Sequence, residues 1–245
     1  MKKDLLLGID FGTGGCKVTL IDPSGAVVES ASGEYPTAHP HPAWAEQQPA
    51  DWYRVMCRVL KTLKHRRRVA AVAQASYTHG AVLLDRRLEV VRPTIIWTDQ
   101  RSAGECQTLR KEHARLIFKT AFQAPTPTWT LPQMLWLRNN EPRALKRTRH
   151  ILFVKDYVRY LLTGEMACDH IEAQGTLFWD MRKGCWSESL CDLAGLQLDR
   201  LPRIAKPTDL AGAITAQAAA DTGLPQGTPV IMGGSDSAVE DYAAG

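Results

Sequence analysis

The stretch Gly8-Ile9-Asp10-Phe11-Gly12-Thr13-Gly14-Gly15-Cys16-Lys17 constrains this chain more than any other. An apolar run over residues 5–9 leads into it, and an apolar-alternating run over 18–21 leads out. The pattern predicts strand, glycine turn, strand. Glycine accepts positive φ, so such a turn can aim several N–H groups at one point. Amides that converge in this way bind anions, most often phosphate. Asp10 enters the turn from the end of a strand, where a carboxylate suits a Mg²⁺-nucleotide. A tight hairpin whose glycines serve geometry alone fits the same residues. Two other phosphate motifs are excluded. A Walker A loop needs Gly-Lys-Ser/Thr, and here Cys16 follows Gly15. A dinucleotide fingerprint needs a third glycine where Lys17 stands, and a helix after it.

Composition bounds the partners. The 245 residues are 44% hydrophobic and 23% charged, as in globular proteins with a large core. The net charge of +4 suits an anionic ligand weakly and does not support nucleic-acid binding. Cys16, Cys57, Cys106, Cys168, Cys185 and Cys191 form no Cys-x-x-Cys pair, and no His stands at zinc-finger spacing. Free thiols in a reducing cytoplasm are the expectation. The apolar stretch between Asp4 and Asp10 is too short for a signal peptide, and nothing later approaches a membrane span. Seven Trp and seven His stand out, because aromatic and imidazole groups often line sugar sites.

The rest of the chain reads as strands alternating with helices after an antiparallel start. Asp22-Pro23-Ser24-Gly25 predicts a turn, and residues 26–28 a third strand. Pro49 opens a helix whose apolar side is Trp52, Val55, Met56, Val59 and Leu60, running to about residue 63. The cationic run 64–68 is expected to be its solvated end. Strands are predicted over 69–75, 81–84, 151–154 and 228–232, and residues 90–97, which contain Pro93, rise into the apolar Ile95-Ile96-Trp97. Helices are predicted over 101–113, 131–140, 155–162, 187–194 and 216–222. Met232-Gly233-Gly234-Ser235-Asp236 ends a strand and begins a helix, with Ser or Asp as its N-cap. The whole predicts an α/β fold with a mixed sheet flanked by helices.

Taken together, these segments resemble the FGGY family of carbohydrate kinases. Asp10-Phe11-Gly12-Thr13 with Lys17 is similar to the first phosphate hairpin of the wider actin-like, ribonuclease-H-like ATPase fold. Trp44-Ala45-Glu46-Gln47 before Pro49 and Trp52 resembles the W-x-E-Q-x-P-x-x-W segment of xylulokinase-like members. Thr78-His79-Gly80 resembles M-H-G, and Trp97-Thr98-Asp99-Gln100-Arg101 resembles W-x-D-x-R. Leu162-Thr163-Gly164-Glu165, then Asp169, Ala173, Gly175-Thr176 and Asp180, resembles the LTGE…D…A-x-GT…D run. Gly233-Gly234-Ser235-Asp236 resembles the G-G-x-D that carries the catalytic aspartate. Three departures stand out: Gly14 replaces a usual Ser, Gln133 a usual Lys, and Tyr77-Thr78 a usual Gln-Met.

The resemblance implies transfer of the γ-phosphoryl group of ATP, with Mg²⁺, to a sugar or polyol hydroxyl, a ketopentose such as xylulose being the closest fit. Asp236 would be the catalytic base, at a helix N-terminus that favours an anion. Asp10 would hold Mg²⁺ through water, Gly12 and Thr13 would contact phosphate, and Lys17 would help electrostatically. His79, Gly80, Asp99 and Arg101 would contact the sugar. By the residues alone, Asp236 serves equally as a cap, His79 as a turn histidine, and Asp99 with Arg101 as a local ion pair. Trp97, Trp129, Trp136, Trp179 and Trp186 are expected to pack, and Trp44 and Glu46 to anchor a loop. The expected partners are a small-molecule sugar and a C-terminal kinase domain absent from this chain, whose residues 1–245 would be the N-terminal, sugar-binding domain. A homodimer is left open. The chain alone is expected to have little or no kinase activity, and a truncated sugar-binding module or the remnant of a decayed gene is the alternative.

Overall fold

The computed structural model describes residues 3–244. The glycine stretch folds into the expected hairpin, with β1 (Leu5–Phe11) antiparallel to β2 (Gly15–Ile21). The Asp22 carboxylate accepts the N–H groups of Ser24 and Ala26 and turns the chain into β3 (Val27–Glu34), antiparallel to β2. β3 runs well past the expected residue 28. Its second half is Glu, Ser, Ala and Gly, with no apolar alternation to read. It forms because β2 offers a full row of partners.

α1 (Pro49–Thr62) begins at Pro49 as expected and buries Trp52, Val55, Met56, Val59 and Leu60. These side chains meet Leu5, Leu7, Ile9, Phe11, Cys16, Val18 and Leu20 from one face of the sheet. Each fully buried Leu or Met of this kind is worth about 1.5–3 kcal/mol. After α1, Arg66 donates to the Leu63 carbonyl, so a cation does finish the helix. β4 (Val69–Ser76) then enters parallel to β1.

Beyond β4 the chain leaves the sheet. It builds α2 (Ala103–Ala121), α3 (Thr130–Asn140), α4 (Pro142–Arg147), α5 (Val154–Thr163), α6 (His170–Gln174) and α7 (Glu188–Ala194). Short ribbons stitch these together: Glu46–Gln47 with Thr94–Ile95, Val82–Leu84 with His150–Leu152, Ala167–Asp169 with Arg203–Ala205, and Trp179–Asp180 with Cys185–Trp186. Helices α2, α3 and α7 share a second apolar core around Leu109, Ile117, Met134, Leu137, Phe178 and Leu190. α2 is longer than predicted because its last turns are largely exposed and lack the periodicity that marks a buried face; Phe118 is 63% exposed. α4 and α6 are too short to leave a pattern.

The chain returns through β5 (Leu210–Ala213), α8 (Ala216–Thr222), β6 (Pro229–Ile231), β7 (Gly234–Ser235) and α9 (Asp236–Ala244). The main sheet runs β5-β6-β4-β1-β2-β3, with β7 also on β4. β4 lies parallel to β1, β6 and β7, whereas β5–β6, β1–β2 and β2–β3 are antiparallel pairs, so the sheet is mixed as expected. α1, α5 and α8 pack on one face. On the other, Leu6 and Asp10 are exposed. All six cysteines are free. Among the described residues no helix is long and apolar enough to cross a membrane.

Candidate active site

Register brings the two ends of the chain together. Ala75 on β4 pairs with Asp10 of β1 on one side and Gly234 of β7 on the other; Ser76 likewise lies between Phe11 and Ser235. The β1 and β7 backbones are thus two strand spacings apart, about 10 Å, and Asp236 starts α9 one residue beyond β7. The electrostatics agree. The Asp10 carboxyl is raised above the usual range by burial first, then by Asp236 and Glu240, while Lys17 opposes them. Lys17 lies directly across from Asp10 on β2. Ser235 provides the cap of α9, its Oγ accepting the Ala238 N–H at 3.4 Å. Asp236 is the first helical residue, and its Oδ1 accepts the Ser237 N–H at 2.7 Å. The approach to α9 depends on Gly233, which has φ +72° and sits so close to β4 that a Cβ would lie 1.9 Å from the Gln74 carbonyl oxygen.

The glycine turn differs from expectation in how it uses its glycines. The Gly12 N–H closes it on the Gly15 carbonyl at 2.9 Å. None of Gly8, Gly12, Gly14 and Gly15 is in the left-handed region. Gly15 is instead required by crowding, since a Cβ there would meet the Gly33 carbonyl of β3 at 2.5 Å. The turn is held from outside. Gln47 Nε2 donates to the Thr13 carbonyl at 2.7 Å, the Tyr35 hydroxyl donates to the Gly12 carbonyl, and Trp97 Nε1 donates to Thr13 Oγ1 at 2.9 Å. Gln47 Oε1 in turn accepts from Trp52 Nε1 and the Tyr77 hydroxyl, both at 2.8 Å. Tyr77, one of the departures noted above, is therefore part of the brace behind the hairpin. Trp97 is not the packing residue expected; it is 40% exposed beside Thr13.

The Thr78–Gly80 turn follows β4 directly. His79 has φ +78°, its N–H donates to Glu172 Oε1 at 3.0 Å, and its carbonyl accepts from Thr130 Oγ1 at 3.0 Å. Its ring stacks edge-on with Trp129 at 4.6 Å and pairs with the Thr78 hydroxyl at 2.8 Å. Burial pushes the imidazole down to about 4, so it is neutral near pH 7. Trp129 Nε1, buried near this ring, makes no hydrogen bond among the described residues. Gly80 is enclosed by Val154, Thr94 and Tyr77.

Asp99 and Arg101 are brought together as an ion pair that closes on itself. Arg101 Nε and Nη2 reach Asp99 at 2.8–3.0 Å, and Nη1 reaches Glu46 Oε1 at 2.7 Å. The Ala45 N–H donates to Asp99 Oδ2 at 2.6 Å. The guanidinium lies 3.8 Å above the Trp44 ring, and its side chain is wholly buried. The pair's groups are used inside the protein, and they fix the 44–47 segment that carries Gln47. Gln133 plays a local part too, donating to the Pro127 and Thr128 carbonyls.

A buried charged cluster was not legible in the sequence. Lys155, Asp156, Arg159, Asp169 and Glu172 are all fully buried. Lys155 Nζ contacts Asp156 and Asp169 and lies 3.9 Å from Glu172; Arg159 contacts Asp156 at 2.9 Å. Burial alone would lower the Lys155 ammonium, but Asp156, Asp169 and Glu172 raise it instead. For Asp156 burial is likewise outweighed, here by Lys155 and Arg159, and its carboxyl is lowered. Burial pushes Glu172 up to about 8. The only trace in the sequence is an adjacent Lys-Asp at the start of an apolar helix.

The fold is that of the matching half of known sugar kinases. Residues 5–240 match the FGGY family of carbohydrate kinases, N-terminal domain, and the chain belongs to that family. It is 34% identical to the xylulose kinase of Escherichia coli (strain K12) over 98% of this chain and 50% of that one. It is 31% identical to the xylulose kinase of Bacillus subtilis (strain 168), with 98% and 49% covered. The crystal structure of xylulose kinase from Rhodospirillum rubrum superposes with a TM-score of 0.94 at 31% identity, covering 98% of this chain and 52% of that one. Gluconate kinase from Lactobacillus acidophilus shares the fold, with a TM-score of 0.90 at 24% identity, over 96% of this chain and 48% of that one. The expected actin-like ATPase architecture is therefore present. The chain spans about half the length of the relatives it matches.

Proposed function

We propose that this chain is the sugar-binding half of an ATP-dependent carbohydrate kinase whose acceptor is a ketopentose such as xylulose. The observation that carries this reading is the shared row of Asp10, Ala75 and Gly234, which sets Asp236 within electrostatic reach of Asp10 beside the glycine turn. The xylulose kinases among its relatives support the choice of sugar.

In this mechanism Asp236 accepts the proton of the sugar hydroxyl while that oxygen bonds to the γ-phosphorus of ATP, and the bond from that phosphorus to the β–γ bridging oxygen breaks to release ADP. A positioned base of this kind contributes ~10²–10⁴ in rate. Phosphoryl transfer otherwise depends on placement and charge stabilisation. Gly12 and Thr13 present the turn to the phosphates, and Lys17 adds positive charge across from Asp10. The donor set suits Mg²⁺. Asp236 and Glu240 raise the cost of ionising Asp10, and a divalent cation held through water at Asp10 would relieve it while neutralising phosphate charge. On the sugar side, His79 is a neutral hydrogen-bonding ring, and the free Trp129 indole N–H offers a donor to a hydroxyl. Gly80 gives the close approach. Asp99 and Arg101 serve the sugar site by holding the 44–47 segment. The proposed setting is the cytoplasm, consistent with six free thiols.

The test joins this chain to a second kinase half and assays it against a ketose panel with Mg-ATP. Sugar-dependent ADP release, lost in Asp236→Asn, is the expected result; undiminished turnover in that variant removes Asp236 from the chemistry. Calorimetry on the joined protein, with sugar and with Mg-ATP, separates the other reading. Sugar binding in a joined protein that never binds nucleotide would mark a non-catalytic sugar-binding module.

A further inference from the structure

The Thr78–Gly80 turn is held by a residue to which no role in the reaction has been given above. His79 is not glycine, yet it sits at φ +78°, a conformation that is strained for a non-glycine residue and persists only where its surroundings impose it. What imposes it is visible. Its N–H is taken by Glu172 Oε1, 93 residues further along the chain, and its carbonyl by Thr130 Oγ1. Its ring is pressed against Gly175, where a Cβ would come within 2.7 Å.

Glu172 is itself fixed. It stands in the first turn of α6, whose Ile171 and Glu172 N–H groups are capped by Asp169 Oδ1 at 2.9 and 3.1 Å. The other Asp169 oxygen contacts Lys155 Nζ, and Lys155 bonds Asp156 at 2.9 Å. Asp156 binds Arg159, and Arg159 Nη1 donates to the Met232 carbonyl at 2.8 Å. Met232 immediately precedes the Gly233-Gly234-Ser235 segment that delivers Asp236. A continuous chain of buried polar contacts thus runs from the sugar-side turn to the approach of the acidic residue.

We propose that Glu172 is a positioning residue that locks the Thr78–Gly80 turn, and that the Lys155–Asp156–Arg159 cluster ties this turn to the strand leading to Asp236. The proposal rests on the sugar-kinase reading for its consequence and on geometry for its substance. Glu172 works as a hydrogen-bond acceptor rather than as a charge. The cations Lys155 and Arg159 are matched by Asp156 and Asp169, Glu172 Oε2 has no hydrogen bond, and the other groups close to it are Cys168, Tyr77 and His79. An amide in its place keeps the acceptor.

The experiment compares Glu172→Gln, Glu172→Asp and Glu172→Ala in the 245-residue chain, each checked for folding by circular dichroism. Two quantities are read: hydrogen exchange of the His79 amide by NMR, and affinity for xylulose by calorimetry. Glu172→Gln is expected to keep both within about twofold. Glu172→Asp, one methylene too short, and Glu172→Ala are expected to speed His79 exchange and weaken xylulose binding, each by roughly tenfold. If Glu172→Ala does not fold, Glu172→Asp decides. Unchanged His79 exchange in a folded Asp or Ala variant overturns the proposal, as does loss of protection in Glu172→Gln. If the wild-type chain binds no xylulose, the substrate reading fails, while His79 exchange still decides the role of Glu172.

Discussion

At the scale of single residues, Asp236 and Gly233 are adjacent in role but differ in kind. Asp236→Asn leaves the cap of α9 intact, because Ser235 Oγ provides it. The variant is therefore expected to fold with a melting temperature close to the wild type, and to lose ~10²–10⁴ of turnover in the joined kinase. Gly233→Ala should do the opposite. Its Cβ has no space against the Gln74 carbonyl, and the residue sits at φ +72°. The expected outcome is a destabilisation of several kcal/mol, seen as a lower urea midpoint before any assay of function. Asp10, Gly12 and Asp236 were legible as candidates because glycines and acids at strand ends leave a pattern in the sequence. Glu172 was not, because nothing local distinguishes a glutamate in a short helix from a solvated one. Its burial is decided by α5, which ends at Thr163, and by the Thr78–Gly80 turn, far away in sequence. Trp97 was misread for a related reason. A tryptophan after two isoleucines reads as core, and only the neighbouring hairpin shows that its indole N–H has Thr13 to bond.

At the scale of elements, the sequence revealed those with a long buried stripe. α1 was legible from its apolar spacing and Pro49, and β1, β2 and β4 from their apolar runs. Elements that gain order from neighbours were not: the polar half of β3, the last turns of α2, and α6. α5 carries the cations of the buried cluster. Removing one member leaves an uncompensated buried charge, which typically costs about 3–5 kcal/mol. Lys155→Met is thus predicted to lower the chain's unfolding free energy by about that amount in urea titrations, far more than a change at a solvated lysine such as Lys64. An effect below about 1 kcal/mol would mean that the cluster is more solvated than its burial indicates.

For the whole molecule, His79 and Glu172 set opposing dependences of stability on pH. His79 is lowered from an ordinary 6.5 to about 4, so between those values the unfolded chain binds more protons and stability rises with pH. Glu172 is raised from 4.5 to about 8, so over that window the folded chain binds more protons and stability falls as pH rises. The two offset between 4.5 and 6.5. Above 6.5 the Glu172 contribution is no longer offset by His79. Unfolding free energy is therefore expected to decline from pH 6.5 to 8 by at most about 1.4 kcal/mol per pH unit for one proton, read as a falling melting temperature. Glu172→Gln should flatten that decline, and an equally steep slope in the variant would assign it to other groups.

The main sheet stops at β3, and among the described residues nothing pairs with that strand's far rim. A row of free amides and carbonyls is an invitation to any passing extended peptide. Ser32 and Glu34 are exposed on this strand, Ser30 is exposed with its hydroxyl bonded back to the Val18 carbonyl of β2, and Glu29 is bound to the amides of Lys64 and His65. With hydroxyls and acids in place of apolar stickiness, a visiting strand gains little from lingering. Valines at 30 and 32 should turn the same rim into a seed for fibrous assembly, visible as light scattering on gentle warming.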